Sequence, residues 1–519
     1  MLILQRLAGN AAVTRAIGDG RSADHGPSEA RPMASTRQSA PGNHEAQKTP
    51  DTLAATIQRR VGFEFESSDW HPWRHVRGLQ PPAESAAGSA SGTTDGVMPV
   101  ERKALLQAGV NFGLEADDSG GPTRSNLEFV TDPFDETEEG LDGFDAAASG
   151  MLGITHDLEK VRGRTGPGDV PGSPPYPVSA DSLGTDFVRP AEHNLSGSHD
   201  IPGNDLLLSG GAPGFVVKMQ STSGVPLADV PAMMRRIGPD PDEAREEKTA
   251  RTPDRETVHP SSVVATRNLK IIGAAPGAAD GMIEELAETD PYTEALVGDT
   301  RDLVGLLAAL VACTGQLSKP GVPGKWGFEL VKNRLGLLHR NNFVQMFSAV
   351  PRIQQEAIRS APDALVDTLV SAVNNLDEMR RTRIRPDSSL IPSNPAAPRP
   401  ALASLTVKAW IHGITNGHDY LSQGGMAQWL STKPEFSPED VQATEGALES
   451  IGAQPAADQR DPGTQELFRF ENRAIRPGLR KVPGSRPTAT SLPMEEAVEN
   501  ARKILGIYTR LREGTLDEP

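Results

Sequence analysis

The sequence predicts an α+β fold in which a mainly antiparallel sheet carries helices on one side and is preceded by a disordered N-terminal region. Three observations lead there. Segments near both ends of the chain alternate apolar and charged residues with the period of a strand: VGFEFES at 61–67, SNLEFVTDPF at 125–134 and LFRFENRAI at 467–475. Stretches with helical spacing lie between them, so the last strand is expected to return to the sheet that the first one starts. Residues 18–56 are rich in Ser, Pro, Gly and Asn and hold few large apolar side chains, the composition of a flexible linker.

Taken in order, residues 1–17 set Leu4, Leu7 and Ala11 at helical spacing, while Asn10 and Arg15 interrupt the apolar run that a secretory signal needs. After the linker, a folded body is expected over 57–515. In its first strand Val61, Phe63 and Phe65 point one way and Glu64 and Glu66 the other. Trp70, His71, Trp73 and His75 follow, and either line a substrate cleft or pack on one another. In the second strand Leu127 and Phe129 oppose Glu128. Insertions near 163–205, which contains GPGDVPGSPPYP, and near 239–260, dominated by charge and proline, flank another strand, PGFVVKMQSTSGVPL at 213–227. Helical patterns occupy 282–288, 301–314, 351–382, 438–451 and 495–512, and the proline-rich segment 385–400 between two of them is a loop. In the last strand Phe468 and Phe470 face away from Arg469, Glu471 and Arg473.

Composition excludes several classes of function. A net charge of −17 over 519 residues argues against a general nucleic-acid binder, which needs concentrated Lys and Arg, and against an anionic membrane surface. The single cysteine, Cys313, rules out internal disulfides, fits synthesis in a reducing cytoplasm and sits in an apolar helical run as a core thiol. That run, LVGLLAALVAC at 303–313, is shorter than the roughly 20 residues that span a bilayer, so no membrane span is expected.

The chemistry rests on the alternating strands. Glu64, Glu66, Glu128 and Glu471, with Arg473, would line one surface if the three strands shared a sheet. Magnesium prefers oxygen ligands and combines a few carboxylates with water and nucleotide phosphates, and a guanidinium holds a phosphate or a carboxylate. An antiparallel sheet with one wet face explains the same residues without chemistry. Other signals fail. His44 and Glu45 start an H-E-x-x-H frame, but position 48 is lysine. GVPGK at 321–325 is followed by Trp326, so there is no P-loop, and no G-x-S-x-G elbow occurs. His418 and Asp419 lie in a helix-terminal turn, where capping accounts for the aspartate.

Gly62, Glu64 and Glu66 as G-x-E-x-E, then Glu128, Thr131 and Pro133 as E-x-x-T-x-P, then Glu471 and Arg473 as E-x-R, occur in an order that resembles the amidoligase branch of the glutamine synthetase-like carboxylate-amine ligases. The motifs frame most of the chain, and the last departs from the usual pattern in placing Asn472 before the arginine. The resemblance implies a curved, largely antiparallel sheet and an ATP-dependent, amide-bond-forming ligase. It implies that Glu64, Glu66 and Glu128 bind magnesium with ATP, that Arg473 contacts phosphate or the substrate carboxylate, and that Glu471 serves the metal or the incoming amine. Lys332, Arg334 and Arg340, in WGFELVKNRLGLLHRNNF at 326–343, are candidate phosphate contacts. The substrates would be a small-molecule or peptide carboxylate and an amine.

The N-terminal string of Leu4, Gln5, Arg6, Ala8, Gly9, Asn10, Ala12, Val13 and Arg15 resembles a segment near the start of cargo proteins of bacterial extracellular contractile injection systems. That resemblance implies synthesis in the cytoplasm, packaging into an injection particle through residues 1–17 and delivery to a target cell. A terminal helix docked on the protein's own core is the alternative. For the body the rivals are a catalytically silent structural or binding component of the particle and a toxin of unrelated chemistry. If residues 1–17 are an address, deleting 2–17 abolishes loading into the particle and leaves the melting temperature of the isolated protein unchanged. Co-purification with the particle and thermal denaturation check the two halves; surviving loading, or a lowered melting temperature, would favour the docked helix.

Overall fold

The computed structural model describes residues 60–67, 70–75, 97–118, 125–164, 178–179, 206–210, 214–237, 260–290, 292–318, 335–380, 383–388, 390, 405–422, 425, 467–473 and 492–515. All belong to one unit, Arg59–Ala456 with Glu466–Pro519. The leader at 1–17, the linker at 18–56, the helix expected at 438–451, and Lys332 and Arg334 lie outside the described residues.

Among the described residues thirteen strands form two sheets: β1 (Arg60–Ser67), β2 (Trp70–His75), β3 (Val97–Pro99), β4 (Leu105–Gly109), β5 (Phe112–Asp118), β6 (Ser125–Thr131), β7 (Phe134–Asp135), β8 (Val178–Ser179), β9 (Leu206–Gly210), β10 (Val216–Pro226), β11 (Leu337–His339), β12 (Leu467–Asn472) and β13 (Leu492–Pro493). The larger, nine-stranded sheet runs β11-β12-β10-β1-β6-β5-β4, with β7 on β1 and β13 on β10. Every pairing in it is antiparallel, as the α+β expectation holds. The smaller sheet, β3-β2-β9-β8, was not foreseen, and β8 falls inside the segment 163–205 expected to be an irregular insertion. Its two residues give too short a period to read from sequence.

The central strand β1 pairs with β6 over Glu64–Glu66 and with β7 over Arg60–Val61. Phe63 falls at the changeover, and its N–H donates to Thr131 Oγ1 at 2.9 Å instead of to a strand carbonyl. Pro133, which has no N–H to offer, sits in the gap between β6 and β7. The threonine and proline of the second motif therefore have a structural task, which is to break one strand into two against an unbroken neighbour.

One face of the sheet is apolar and fully buried: Phe112 and Leu114, Leu127 and Phe129, Phe63 and Phe65, Val217 and Met219, Phe468 and Phe470. Helix α1 (Glu138–Arg164) lays Phe144 on it, 5.2 Å from the Phe63 ring. Gly140, Gly143, Gly150 and Gly153 dilute the helical pattern of α1 in the sequence, although Leu141, Phe144, Ala148, Met151 and Leu158 keep one face. The C-terminal helix, Met494–Glu513, packs beside α1 and is fixed by the Ser223 hydroxyl, which donates to the buried Tyr508 hydroxyl at 2.6 Å.

A second layer of helices gathers beyond β10: α2 (Val230–Ile237), α3 (Pro260–Thr289), α4 (Thr293–Val297), α5 (Arg301–Leu317), α6 (Phe343–Ala349), α7 (Arg352–Ser360), α8 (Pro362–Asn375) and α9 (Val407–Thr415), followed in sequence by α10 (Met494–Glu513). Helix α5 is its axis, buried almost throughout and including Cys313, whose thiol is pushed up by burial. Gly305 lets α5 touch the preceding chain, since a Cβ there would lie 1.9 Å from the Leu227 carbonyl oxygen. Two expectations need correction. The helix expected at 282–288 is only the last third of α3, whose earlier turns contain Gly273, Pro276, Gly277 and Gly281 and hold by packing against α5. The pattern at 351–382 is two helices, because Pro362 starts a new one. Asp419 is structural, accepting from Phe343 N at 2.7 Å, Trp410 Nε1 at 3.1 Å and Leu421 N at 3.0 Å.

His339 is buried between the Phe343 and Phe470 rings, 5.2 and 5.4 Å away, with neither ring nitrogen bonded to a protein group. Burial lowers its pKa to about 3. The unfolded chain therefore takes up a proton near the ordinary value of about 6.5 that the folded protein refuses, and this stability, complete above that value, is lost as pH falls towards 3. Denaturant titrations of His339→Leu and the unmodified protein should thus diverge on acidification. Between pH 7 and 4.5 the unmodified protein should lose about 2–3 kcal/mol more than the variant.

Candidate functional site

The opposite face of the sheet is polar, and cross-strand register decides which side chains meet. Lys218, Glu66, Glu128 and Glu115 stand on one line across β10, β1, β6 and β5. Gln220, Glu64, Val130 and Gly113 form the next line, and Leu338, Glu471, Thr222 and Gly62 a third across β11, β12, β10 and β1. Cβ atoms of direct neighbours in such lines are about 4.5–5.5 Å apart. Glu64, Glu66, Glu128 and Glu471 thus share one face, and Arg473, two residues beyond Glu471, joins it. Gly62 leaves space among them: a Cβ there would meet nothing within 4 Å.

The face divides into two ends. The β5–β6–β1 end holds five carboxylates, from Glu64, Glu66, Glu115, Asp117 and Glu128, and the last three contact Lys103. The Lys103 ammonium donates to Glu128 Oε2 at 2.5 Å and lies 3.4 Å from Asp117 and 4.0 Å from Glu115. Glu66 accepts from Asn126 Nδ2 at 2.9 Å and pairs with Lys218 at 3.6 Å. Glu64 accepts from the Gln220 amide. At the β12–β11 end, Arg340 Nε donates to Glu471 Oε2 at 2.6 Å while Arg473 Nε donates to Oε1 of the same carboxylate. Arg469, more than half buried, adds a third guanidinium beside Arg340.

Burial makes these charges matter: Glu128 is 1% exposed, Glu471 2% and Glu64 9%. Desolvation raises the Glu64 carboxyl to about 7, with Glu471 and Asp117 adding to the effect and Lys103 and Arg473 opposing it. Desolvation likewise raises Glu128 well above the carboxylate range, and Glu64 adds to it against Lys103. Burial would raise Glu471 too, but Arg473 and Arg340 overcome it and leave its carboxyl below the usual range. Lys103 is held above the ordinary lysine value, since Glu128, Asp117 and Glu64 outweigh its own desolvation.

Of the residues singled out from sequence, Glu64, Glu66, Glu128, Glu471, Arg340 and Arg473 come together on this face, with both arginines engaged by Glu471. Trp70 does not line a cleft: it is buried and stacks on Phe215 with centroids 5.9 Å apart, and His71 Nδ1 bonds Ser125 O at 2.9 Å. Lys103, Glu115, Asp117 and Arg469 were not singled out as site residues. For Glu115 and Asp117 a signal existed, because FGLEADD alternates as plainly as the first motif. Lys103 had none, since it sits in a turn with left-handed backbone, φ 61°.

The donor set fits a hard divalent cation: it is all oxygen, and at the β5–β6–β1 end acids outnumber Lys103 and Lys218. Among the described residues, however, no three His, Cys, Asp or Glu side chains are arranged as they stand to hold an ion. Lys103, Lys218 and Asn126 take up carboxylate oxygens there.

No protein-family model matches the chain, and no curated protein matches it. Two solved structures do, each with 12% identity, a TM-score of 0.32, and coverage of 81% of this chain and 94% of theirs. One is the ACD domain of a VgrG Vibrio cholerae toxin, as a mutant in complex with ADP and Mn++; the other is a Vibrio cholerae toxin from the MARTX/VgrG family. Similarity at this level assigns no chemistry, which has to come from the residues. Among the described residues no helix is long and apolar enough to cross a membrane.

The raised Glu64 carboxyl has a measurable consequence. From about pH 4.5 to 7 the unfolded chain ionises this group first, so the stability it contributes is complete at low pH and is lost as pH rises through 7. The metal-free Glu64→Gln variant, which cannot ionise there, should match the unmodified protein at pH 4.5 and exceed it by about 1–3 kcal/mol at pH 8 in denaturant titrations.

Proposed function

We propose that the polar face is the site of an ATP- and divalent-metal-dependent carboxylate-amine ligase of the amidoligase, glutamine synthetase-like type, carried as cargo of a contractile injection system. The observation that carries this reading is the division of one buried sheet face into an acid end and a guanidinium end, both felt electrostatically by Glu64. A nucleotide triphosphate with its metal has the matching division: the ion faces carboxylates and the phosphate oxygens face arginines. The order of the three motifs and the leader string support it.

Each residue has a task in this scheme. Glu64, Glu66 and Glu128 would hold magnesium, which when bound neutralises phosphate charge. Arg473 and Arg340 would contact phosphate oxygens or the acceptor carboxylate, and Lys332 would add a further phosphate contact. Glu471 orients both guanidiniums by accepting from each. Its lowered pKa keeps it ionised, so that it would accept a hydrogen bond from the incoming amine. Gly62 leaves room beside Glu64 for a substrate to approach the sheet.

The internal neutralisation of the same carboxylates favours a second reading, a catalytically silent component that keeps the sheet for binding or assembly. Nucleotide and metal affinities separate the two. The ligase reading expects ATP binding that depends on a divalent ion, and ADP release only when a carboxylate and an amine are both supplied. Arg473→Ala should weaken ATP by about 10–100-fold and change Mn2+ affinity less than about threefold, whereas Glu128→Ala should weaken both. Isothermal titration with millimolar ATP and Mn2+ that registers no binding would leave the silent component.

A further inference from the structure

Lys103 stands where the proposed ligase needs its ion. Its ammonium has three charged neighbours within 4.0 Å, all of them carboxylates from two adjacent strands: Glu128 at 2.5 Å, Asp117 at 3.4 Å and Glu115 at 4.0 Å. Two of these oxygens lie closer than 3.5 Å, so a second cation could not share them without strong repulsion. The side chain is delivered from outside the strands. Lys103 N donates to Ala116 O at 2.6 Å, Ala104 N to Glu101 O at 3.2 Å, and the residue between these bonds adopts φ 61°, where glycine or asparagine would be the unstrained choice. The backbone at this turn therefore aims a flexible four-carbon arm at the acids from the end of the sheet, and the arm can withdraw without any strand moving.

We infer that Lys103 is a resident counter-ion that competes with the divalent cation, so that metal binding at Glu128 and the Lys103 ion pair exclude one another. This rests on the metal-site reading above and adds a regulation to it. Without metal, Lys103 offsets part of the charge of the buried acids. With metal, the divalent charge replaces it at Glu128, and the released ammonium turns to solvent or to an anion bound beside the ion. The face is thereby stable while empty and needs enough metal to open.

Mn2+ alone is the probe. Electron paramagnetic resonance counts the bound ion on the full chain, and amine-selective acetylation with mass spectrometry reads whether Lys103 is engaged. In the unmodified protein Lys103 acetylation should rise at least about fivefold as Mn2+ saturates, since an ammonium freed from three carboxylates regains ordinary amine reactivity. Lys103→Gly, compatible with the backbone angle, should bind Mn2+ at least about tenfold more tightly than the unmodified protein, and Lys103→Gln supplies the same comparison if the glycine variant does not fold. Saturating Mn2+ with unchanged Lys103 labelling, or variants that bind Mn2+ no more tightly, would overturn the competition and leave the metal site standing. No Mn2+ binding by any of the three proteins at millimolar concentration would overturn the metal site as well.

Discussion

A carboxylate taken out of water has to find its counter-charge inside the protein, and the polar face of the larger sheet is organised by that requirement. Period-two alternation puts phenylalanines on one side of β1 and glutamates on the other, so the strand that builds the core also delivers the charge. Antiparallel neighbours repeat the pattern, which lines up acids on β1, β6 and β5 and an acid with arginines on β12. The two ends solve the same problem differently. Glu471 has two guanidiniums and stays ionised, while Glu64 and Glu128 share one close lysine and are pushed towards protonation.

The face carries two kinds of cation, paired guanidiniums and a single close lysine. Arg340 and Arg473 converge on opposite oxygens of one carboxylate, a geometry that orients both guanidinium planes. Lys103 makes point-like contacts from a turn, with a flexible arm in place of a planar fork. The apolar side beneath is unyielding by comparison, with ring on ring from Phe63 to Phe144 and from Phe129 to Phe215.

Local alternation made β1, β6 and β12 legible in the sequence, and with them the side of the sheet on which Glu64, Glu66, Glu128, Glu471 and Arg473 stand. It could not give the strand order, because register between β1 and β10, or β10 and β12, is set by packing between residues far apart in the chain. Glycine hid α1 and the first turns of α3, whose helicity depends on tertiary contact. The smaller sheet was missed because β3 and β8 span three and two residues, below the length at which a period exists. Lys103 was invisible for a different reason: its role depends on a backbone angle and on three partners from other strands, none of which leaves a mark on its neighbours in sequence.

The place of β1 in the sheet also governs how the protein can be made and unmade. It is the first described strand of the chain, yet it lies in the interior of the larger sheet, between β6 and β10, and β10 in turn waits for β12. Such pairings close very long loops, which slows folding and delays the last contacts until nearly the whole chain is present. A chain emerging N-terminus first, from a ribosome or a narrow passage, carries Glu64 without its hydrogen-bond partner Gln220 until β10 follows, 156 residues later. The charged face is therefore among the last parts to assemble, and a pull on the N-terminal end would load the middle of the sheet before either edge.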